Sequence, residues 1–185
     1  MLLDYLITII EEFCKDYNIK LTGSYIAKKK KLNQKTVSNY LNELENKGIL
    51  KSKTDGRNKY YFLNLENKEI VKNFIIAIEH LRTIKFYTKN PLIKEIVEKI
   101  LPYINGIAIV FGSYARGNQK EDSDLDILII GNAKEDKINE IGEMYNKEIN
   151  LKIYEKFKKD ILMKEVLKNH IITKNVEKFV SLLIK

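Results

Sequence analysis

The sequence predicts a two-domain chain of mixed α+β and α/β class, with helices and a hairpin first and a small mixed sheet last. Over the first half, apolar residues recur at helical spacing, interrupted by two β-prone segments around Asp55-Gly56. From Ile107 onward, short apolar runs alternate with polar, helix-forming segments. These observations divide the chain into residues 1–66, a helical connector over residues 67–101, and residues 102–185.

Three helices and a hairpin are predicted in the first part. Apolar spacing marks helices over residues 1–17 and about 34–47, and Thr22 is placed to cap a helix between them. Gly48 is placed to end the third helix. Asp55-Gly56 between β-prone runs predicts a tight turn. This order of elements resembles the winged helix-turn-helix family, in which the third helix enters the major groove of DNA.

The net charge of +8 is concentrated in residues 20–60, which contain eleven Lys or Arg residues and three Asp or Glu residues. Such a segment predicts a surface that binds a polyanion. By the winged-helix resemblance the partner is double-stranded DNA, with Gln and Asn reading adenine edges and basic residues on phosphates. The predicted DNA-contacting residues are Lys28, Lys29, Lys30, Lys31, Gln34, Lys35, Ser38, Asn39, Asn42, Lys53, Arg57 and Lys59.

The connector carries an apolar stripe from Ile70 to Ile84, and Pro91 starts a second helical segment. The stripe is either a seam between two copies, which gives a homodimer, or a face packed on its own chain. The chain has a single cysteine, Cys14, and no apolar run long enough to cross a bilayer. We therefore expect a cytoplasmic protein without a membrane segment.

The strongest chemical signal lies between two apolar runs, at residues 107–111 and 125–130. Gly112 lets the backbone approach a ligand closely, and Ser113 stands where a following helix would begin and bind phosphate. Asp124-x-Asp126 places two carboxylates on one face of a strand. Partial burial of a carboxylate is costly, and a divalent cation offsets that cost. Mg²⁺ prefers one or two carboxylates together with phosphate oxygens.

Gly112-Ser113, then ten residues, then Asp124-x-Asp126 resembles the signature of the DNA-polymerase-β-type nucleotidyltransferases, especially their minimal single-domain members. The resemblance covers about residues 90–185. It implies that Gly112 and Ser113 contact a nucleoside triphosphate and that Arg116 steadies its phosphates. It further implies that Asp124 and Asp126 bind Mg²⁺ or Mn²⁺ and are catalytic in attack of a hydroxyl on the α-phosphorus, with release of pyrophosphate. Some minimal members are paired with HEPN-type toxins, so a HEPN-type partner and an antitoxin role are also implied.

The chain departs from that family at the third carboxylate, which is expected on the next strand. Asn150-Leu151 stands there, and Asn150 is therefore a degenerate third catalytic position, neutral and unable to act as a base. Glu148 would replace it if the register slipped by two, whereas Lys152 would place a positive charge beside the site.

Two functions stay open. One is a DNA-binding transcriptional regulator or antitoxin that binds Mg-NTP with a weakened or lost transferase site. The other is an active enzyme that transfers NMP from an NTP to a protein or small-molecule hydroxyl.

Overall fold

Three helices and a three-stranded antiparallel sheet form the N-terminal part of the chain in a computed structural model that describes residues 2–184. The helices are α1 (Leu2–Cys14), α2 (Gly23–Lys30) and α3 (Gln34–Asn46). The strands are β1 (Leu21–Thr22), β2 (Leu50–Asp55) and β3 (Asn58–Leu63), in the order β1-β3-β2. The predicted winged helix is confirmed, with β1 as an additional strand. Met1 and Lys185, which the predicted ranges include, lie outside the described residues.

Local signals set the element boundaries in this part. The Thr22 hydroxyl accepts a hydrogen bond from the backbone N–H of Tyr25 at 3.2 Å, which confirms the predicted cap of α2. Gly48 follows α3 with a φ of 71°, a conformation that glycine adopts without strain. Asp55 pairs with Asn58 across a two-residue turn, as the predicted hairpin requires.

The C-terminal part begins within a long helix and continues into a mixed sheet. The chain divides between Ile78 and Glu79, and the second compact unit is Glu79–Leu182. Its helices are the second half of α4 (Lys68–Lys89), α5 (Pro91–Ile100), α6 (Gly112–Arg116), α7 (Glu135–Met144), α8 (Ile161–Lys168) and α9 (Val176–Leu183). Its strands are β4 (Ile104–Val110), β5 (Leu125–Ala133), β6 (Ile149–Tyr154) and β7 (Ile171–Lys174).

The four strands of this sheet are ordered β6-β5-β4-β7. β5 pairs with β6 in parallel, and the other two pairs are antiparallel, so the predicted small mixed sheet is confirmed. Ile109 and Leu128 of the two central strands are fully buried, as strands covered on both faces should be. Among the described residues, no helix combines the length and apolarity that crossing a bilayer requires.

A buried ionic cluster joins α4 to His170, the residue before β7, within the second unit. Glu79 and His170 are both 0% exposed. One terminal nitrogen of Arg82, Nη1, donates to the two Glu79 oxygens at 2.6 and 2.7 Å, and Nη2 donates to the His170 carbonyl at 2.8 Å. Burial raises the pKa of Glu79, but the charges of Arg82 and His170 outweigh it and hold that pKa at about 2. Glu79 is therefore a buried carboxylate that stays charged because it is paired.

Candidate functional site

The Gly112-Ser113 turn opens a one-turn helix directly after β4. Gly112 has a φ of 69°, and a Cβ built there would lie 2.9 Å from Cγ of Asp126 and closer still to its Oδ2. The backbone N–H of Phe111 donates to the Asp126 carbonyl at 3.0 Å, which fixes the turn against β5. Gly112 is thus the point where the backbone lies against the Asp126 carboxylate, and only a residue without a side chain fits there.

The two aspartates and Asn150 come together at one edge of the sheet. Asp124 directly precedes β5, and Asp126 is its second residue; both are half-buried. The parallel register pairs Asp126 with Asn150 of β6. Nδ2 of Asn150 donates to Oδ2 of Asp124 at 3.2 Å. The register slip that would have let Glu148 replace Asn150 does not occur: Glu148 is exposed, and its carbonyl accepts from the backbone N–H of Leu125 at 2.9 Å.

The surroundings of Asp126 shift the pKa of its carboxyl group upward. Burial raises the pKa of Asp126, the Asn150 amide lowers it, and the charge of Asp124 raises it again. Arg116 on α6 and Lys152 on β6 are both exposed, and their positive charges lower the pKa of Asp126. The net effect is a pKa above the usual range for aspartate.

A divalent cation shared with phosphate oxygens fits these donors. Asp124 and Asp126 supply two carboxylates, which is what Mg²⁺ takes from a protein when phosphate completes its shell. Within residues 2–184, no group of three His, Cys, Asp or Glu side chains is placed to hold a metal. The two carboxylates suit a cation whose coordination shell is completed by phosphate oxygens.

A buried lysine supports the loop that leads to Asp124. Nζ of Lys147 donates to the carbonyls of Glu121 and Ser123, at 2.9 and 3.1 Å, and the side chain is mostly buried. The Ser123 hydroxyl accepts from the backbone N–H of Lys120 at 2.8 Å. Sequence reasoning missed Lys147, since a lysine just before a strand gives no local signal of burial. It is a supporting residue of the site.

In the first unit, α3 and the hairpin border a polar groove of about 440 Å³. The predicted DNA-contacting residues that line it are Gln34, Ser38, Asn42, Arg57 and Lys59. Lys35 and Asn39 are exposed on α3 outside the groove lining. The structure therefore brings the predicted base-reading residues onto one helix and places the hairpin beside them.

Several predicted phosphate contacts are already paired with acids. Lys29 and Lys30 lie 2.9 and 3.0 Å from the carboxylate of Glu12, which is 1% exposed. Burial raises the pKa of Glu12, but the lysines around it outweigh that effect and hold the value at about 2. Lys59 lies 2.6 Å from Glu45 on α3.

The five other basic residues among the predicted contacts remain available at the surface. They are exposed and make no ion pair within residues 2–184: Lys28, Lys31, Lys35, Lys53 and Arg57. The sequence predicted phosphate contacts for all of these basic residues alike, because it does not show which acid packs against which lysine.

A sequence model of the family described as nucleotidyltransferase domain matches residues 91–183, half of the 185-residue chain. The chain belongs to this family. The nucleotidyltransferase match contains Gly112, Asp124, Asp126 and Asn150. A second model, described as penicillinase repressor, matches residues 16–99, which include α2, α3 and the hairpin. The chain therefore combines a repressor-like winged helix with a nucleotidyltransferase domain.

No curated protein shows a significant match to this chain. One solved structure that it resembles is titled "Crystal structure of the toxin-antitoxin with AMP-PNP". The sequences are 17% identical, and the alignment covers 50% of this chain and 80% of the other at a TM-score of 0.37. A likeness at this level supports no statement about function.

Proposed function

We propose that this protein is a DNA-binding transcriptional regulator whose nucleotidyltransferase domain binds a nucleoside triphosphate with Mg²⁺ or Mn²⁺ and has a weakened or lost transferase site. The observation that carries the proposal is Asn150, which is in register with Asp126 and donates to Asp124. A neutral amide cannot take a proton from an attacking hydroxyl, and it adds no charge for a second cation. The site is suited to binding more than to turnover.

Each residue of the site has a defined task in this proposal. Asp124 and Asp126 hold the cation, which when bound neutralises phosphate charge and polarises phosphate oxygens. Gly112 keeps the backbone against the Asp126 carboxylate so that neither has to move. The Ser113 hydroxyl donates to phosphate, and Arg116 adds a positive charge from the same turn.

Nucleotide binding and transfer are tested together. The protein is incubated with each labelled NTP, Mg²⁺ and cell extract, beside an Asp124→Ala/Asp126→Ala double variant. We expect Mg²⁺-dependent NTP binding by the natural protein, loss of binding in the variant, and no labelled acceptor. The absence of Mg²⁺-dependent binding to any NTP would reject the nucleotide part of the proposal.

An active transferase is the second candidate, and the intact pair Asp124 and Asp126 beside Gly112 favours it. It would transfer NMP to a protein or small-molecule hydroxyl and release pyrophosphate. A labelled acceptor that depends on the two aspartates would establish it in place of the binding-only site.

Double-stranded DNA is the partner proposed for the winged helix, on the basis of the polar groove and the exposed cations around it. Binding that rests on phosphate contacts weakens steeply with salt. Fluorescence anisotropy at several salt concentrations measures this, and a flat response would count against DNA. A homodimer and an antitoxin role with a HEPN-type protein complete the proposal. Light scattering of the chain, alone and co-expressed with a candidate HEPN protein, measures both assemblies.

A further inference from the structure

Asn42 is an exposed residue of α3 whose side-chain oxygen is engaged by the hairpin. Its Oδ1 accepts a hydrogen bond from the hydroxyl of Tyr61 at 2.8 Å. The same oxygen accepts from Nζ of Lys59 at 3.4 Å. Both partners belong to β3, and Asn42 lines the polar groove together with Gln34 and Ser38.

The lysine decides which way the amide points. An ammonium group can donate hydrogen bonds but cannot accept them, so it requires the oxygen of Asn42 on its side and excludes the NH₂ group. Lys59 is itself held in place by Glu45 at 2.6 Å, and its ammonium lies 4.8 Å from the centre of the Tyr61 ring. The amide therefore has one stable orientation, with Oδ1 toward the hairpin and Nδ2 turned away from it.

This orientation changes what Asn42 offers to a base. An unconstrained asparagine recognises adenine with two groups at once, a donor to N7 and an acceptor from the N6 amino group. With its oxygen occupied, Asn42 presents only N–H donors. In the major groove such donors match the O6 and N7 atoms of guanine or the O4 atom of thymine. Adenine offers N7 alone, next to an amino group that repels a second N–H, and the amino group of cytosine offers no acceptor.

We infer that Asn42 selects a keto base, guanine or thymine, at its position in the DNA site, in place of the adenine that an asparagine on a recognition helix is expected to read. The inference rests on the proposed DNA binding and names the base chemistry that this surface recognises. Lys59, Tyr61 and Glu45 act as positioning residues, because they fix the amide without touching the base.

Exchange of nitrogen for oxygen tests the inference directly. Asn42→Asp keeps the shape of the side chain and the bonds to Tyr61 and Lys59, but its outward atom becomes an acceptor. The variant should prefer an amino base, cytosine or adenine, at the position where the natural protein prefers a keto base. A second variant, Lys59→Met/Tyr61→Phe, releases Oδ1 and should gain adenine at that position.

The experiment is selection of binding sites from a randomised duplex pool, followed by affinity measurements on duplexes that carry each of the four bases at every selected position. We expect a keto preference of about fivefold at one position, in line with the lower end of base discrimination by a side chain. Asn42→Asp should reverse it. Asn46→Asp introduces the same charge at an exposed position of the same helix that is not among the predicted DNA contacts. It serves as the matched control and should leave that position unchanged.

Three results would overturn the inference while leaving DNA binding intact: an unchanged preference in Asn42→Asp, the same reversal in Asn46→Asp, or selection of adenine by the natural protein. Failure of the natural protein to bind any duplex in the pool would reject the proposed DNA binding and this inference with it.

Discussion

Replacement of Gly112 by alanine should have two costs, strain in the left-handed backbone and crowding at the site, and a control variant can separate them. Gly112 and Gly117 have nearly the same φ, 69° and 73°, at the two ends of α6. A Cβ on Gly117 has nothing within 4 Å, whereas a Cβ on Gly112 presses on the carboxylate of Asp126. Gly117→Ala is therefore a matched control with the same backbone penalty and no clash.

The expected magnitudes follow from these two terms. The left-handed conformation costs an alanine about 1–2 kcal/mol, and this applies to both variants. Crowding adds about 1–3 kcal/mol to Gly112→Ala alone. Hydrogen exchange of the β5 amides, which reports on this unit, should show the larger loss of stability in Gly112→Ala. Calorimetric titration with Mg-NTP should show affinity about tenfold lower or worse, because Asp126 has to shift.

The same two measurements can refute this account of Gly112. Equal losses of stability in Gly112→Ala and Gly117→Ala would mean that the contact with Asp126 is relieved at no cost. Unchanged Mg-NTP affinity in Gly112→Ala, with the protein folded, would mean that the close approach of backbone and carboxylate is not needed for binding.

Four further predictions follow from other contacts. Arg82→Met should lower the free energy of unfolding by about 3–5 kcal/mol, since it leaves Glu79 charged and buried, and urea unfolding that shows no loss would contradict the buried pair. The pKa of Glu79 is about 2 in the fold against 4.5 without it, so its stabilisation is present above pH 4.5 and should be lost, by about 3 kcal/mol, as pH falls toward 2. Comparison with Glu79→Gln, which lacks this term, isolates the effect. Lys31→Ala should reduce the slope of log affinity for DNA against log salt by about 1, whereas Lys29→Ala, whose charge Glu12 already compensates, should not; equal slopes would refute the distinction. Asn150→Asp should produce or raise pyrophosphate release from NTP in the presence of an acceptor, and a variant with no gain would show that a missing carboxylate does not explain weak transfer.

The features that the sequence predicted well depend on residues close together in the chain. Thr22 caps the helix that it immediately precedes, and Gly48 ends the helix that it follows. The turn between Asp55 and Asn58 joins two adjacent strands. Each of these signals acts within a few residues, so no knowledge of the tertiary structure was needed to use them.

The features that the sequence did not predict depend on contacts between distant residues. Lys29 of α2 meets Glu12 of α1, and Arg82 meets His170 across 88 positions. β1 is only two residues long and exists because it pairs with β3. Such pairings form only when the elements pack together, so the pattern of charge and hydropathy along the chain does not predict them.

Parallel pairing of β5 with β6 fixes Asn150 opposite Asp126, where a carboxylate would complete the set without any movement of the backbone. In the genetic code, the codons of asparagine and aspartate differ by a single purine at the first base. A single mutation therefore separates the two proposed functions, since one transition in the gene exchanges one residue for the other. If the chain is a regulator, it is kept apart from an enzyme by selection at one codon and not by the architecture of its sheet.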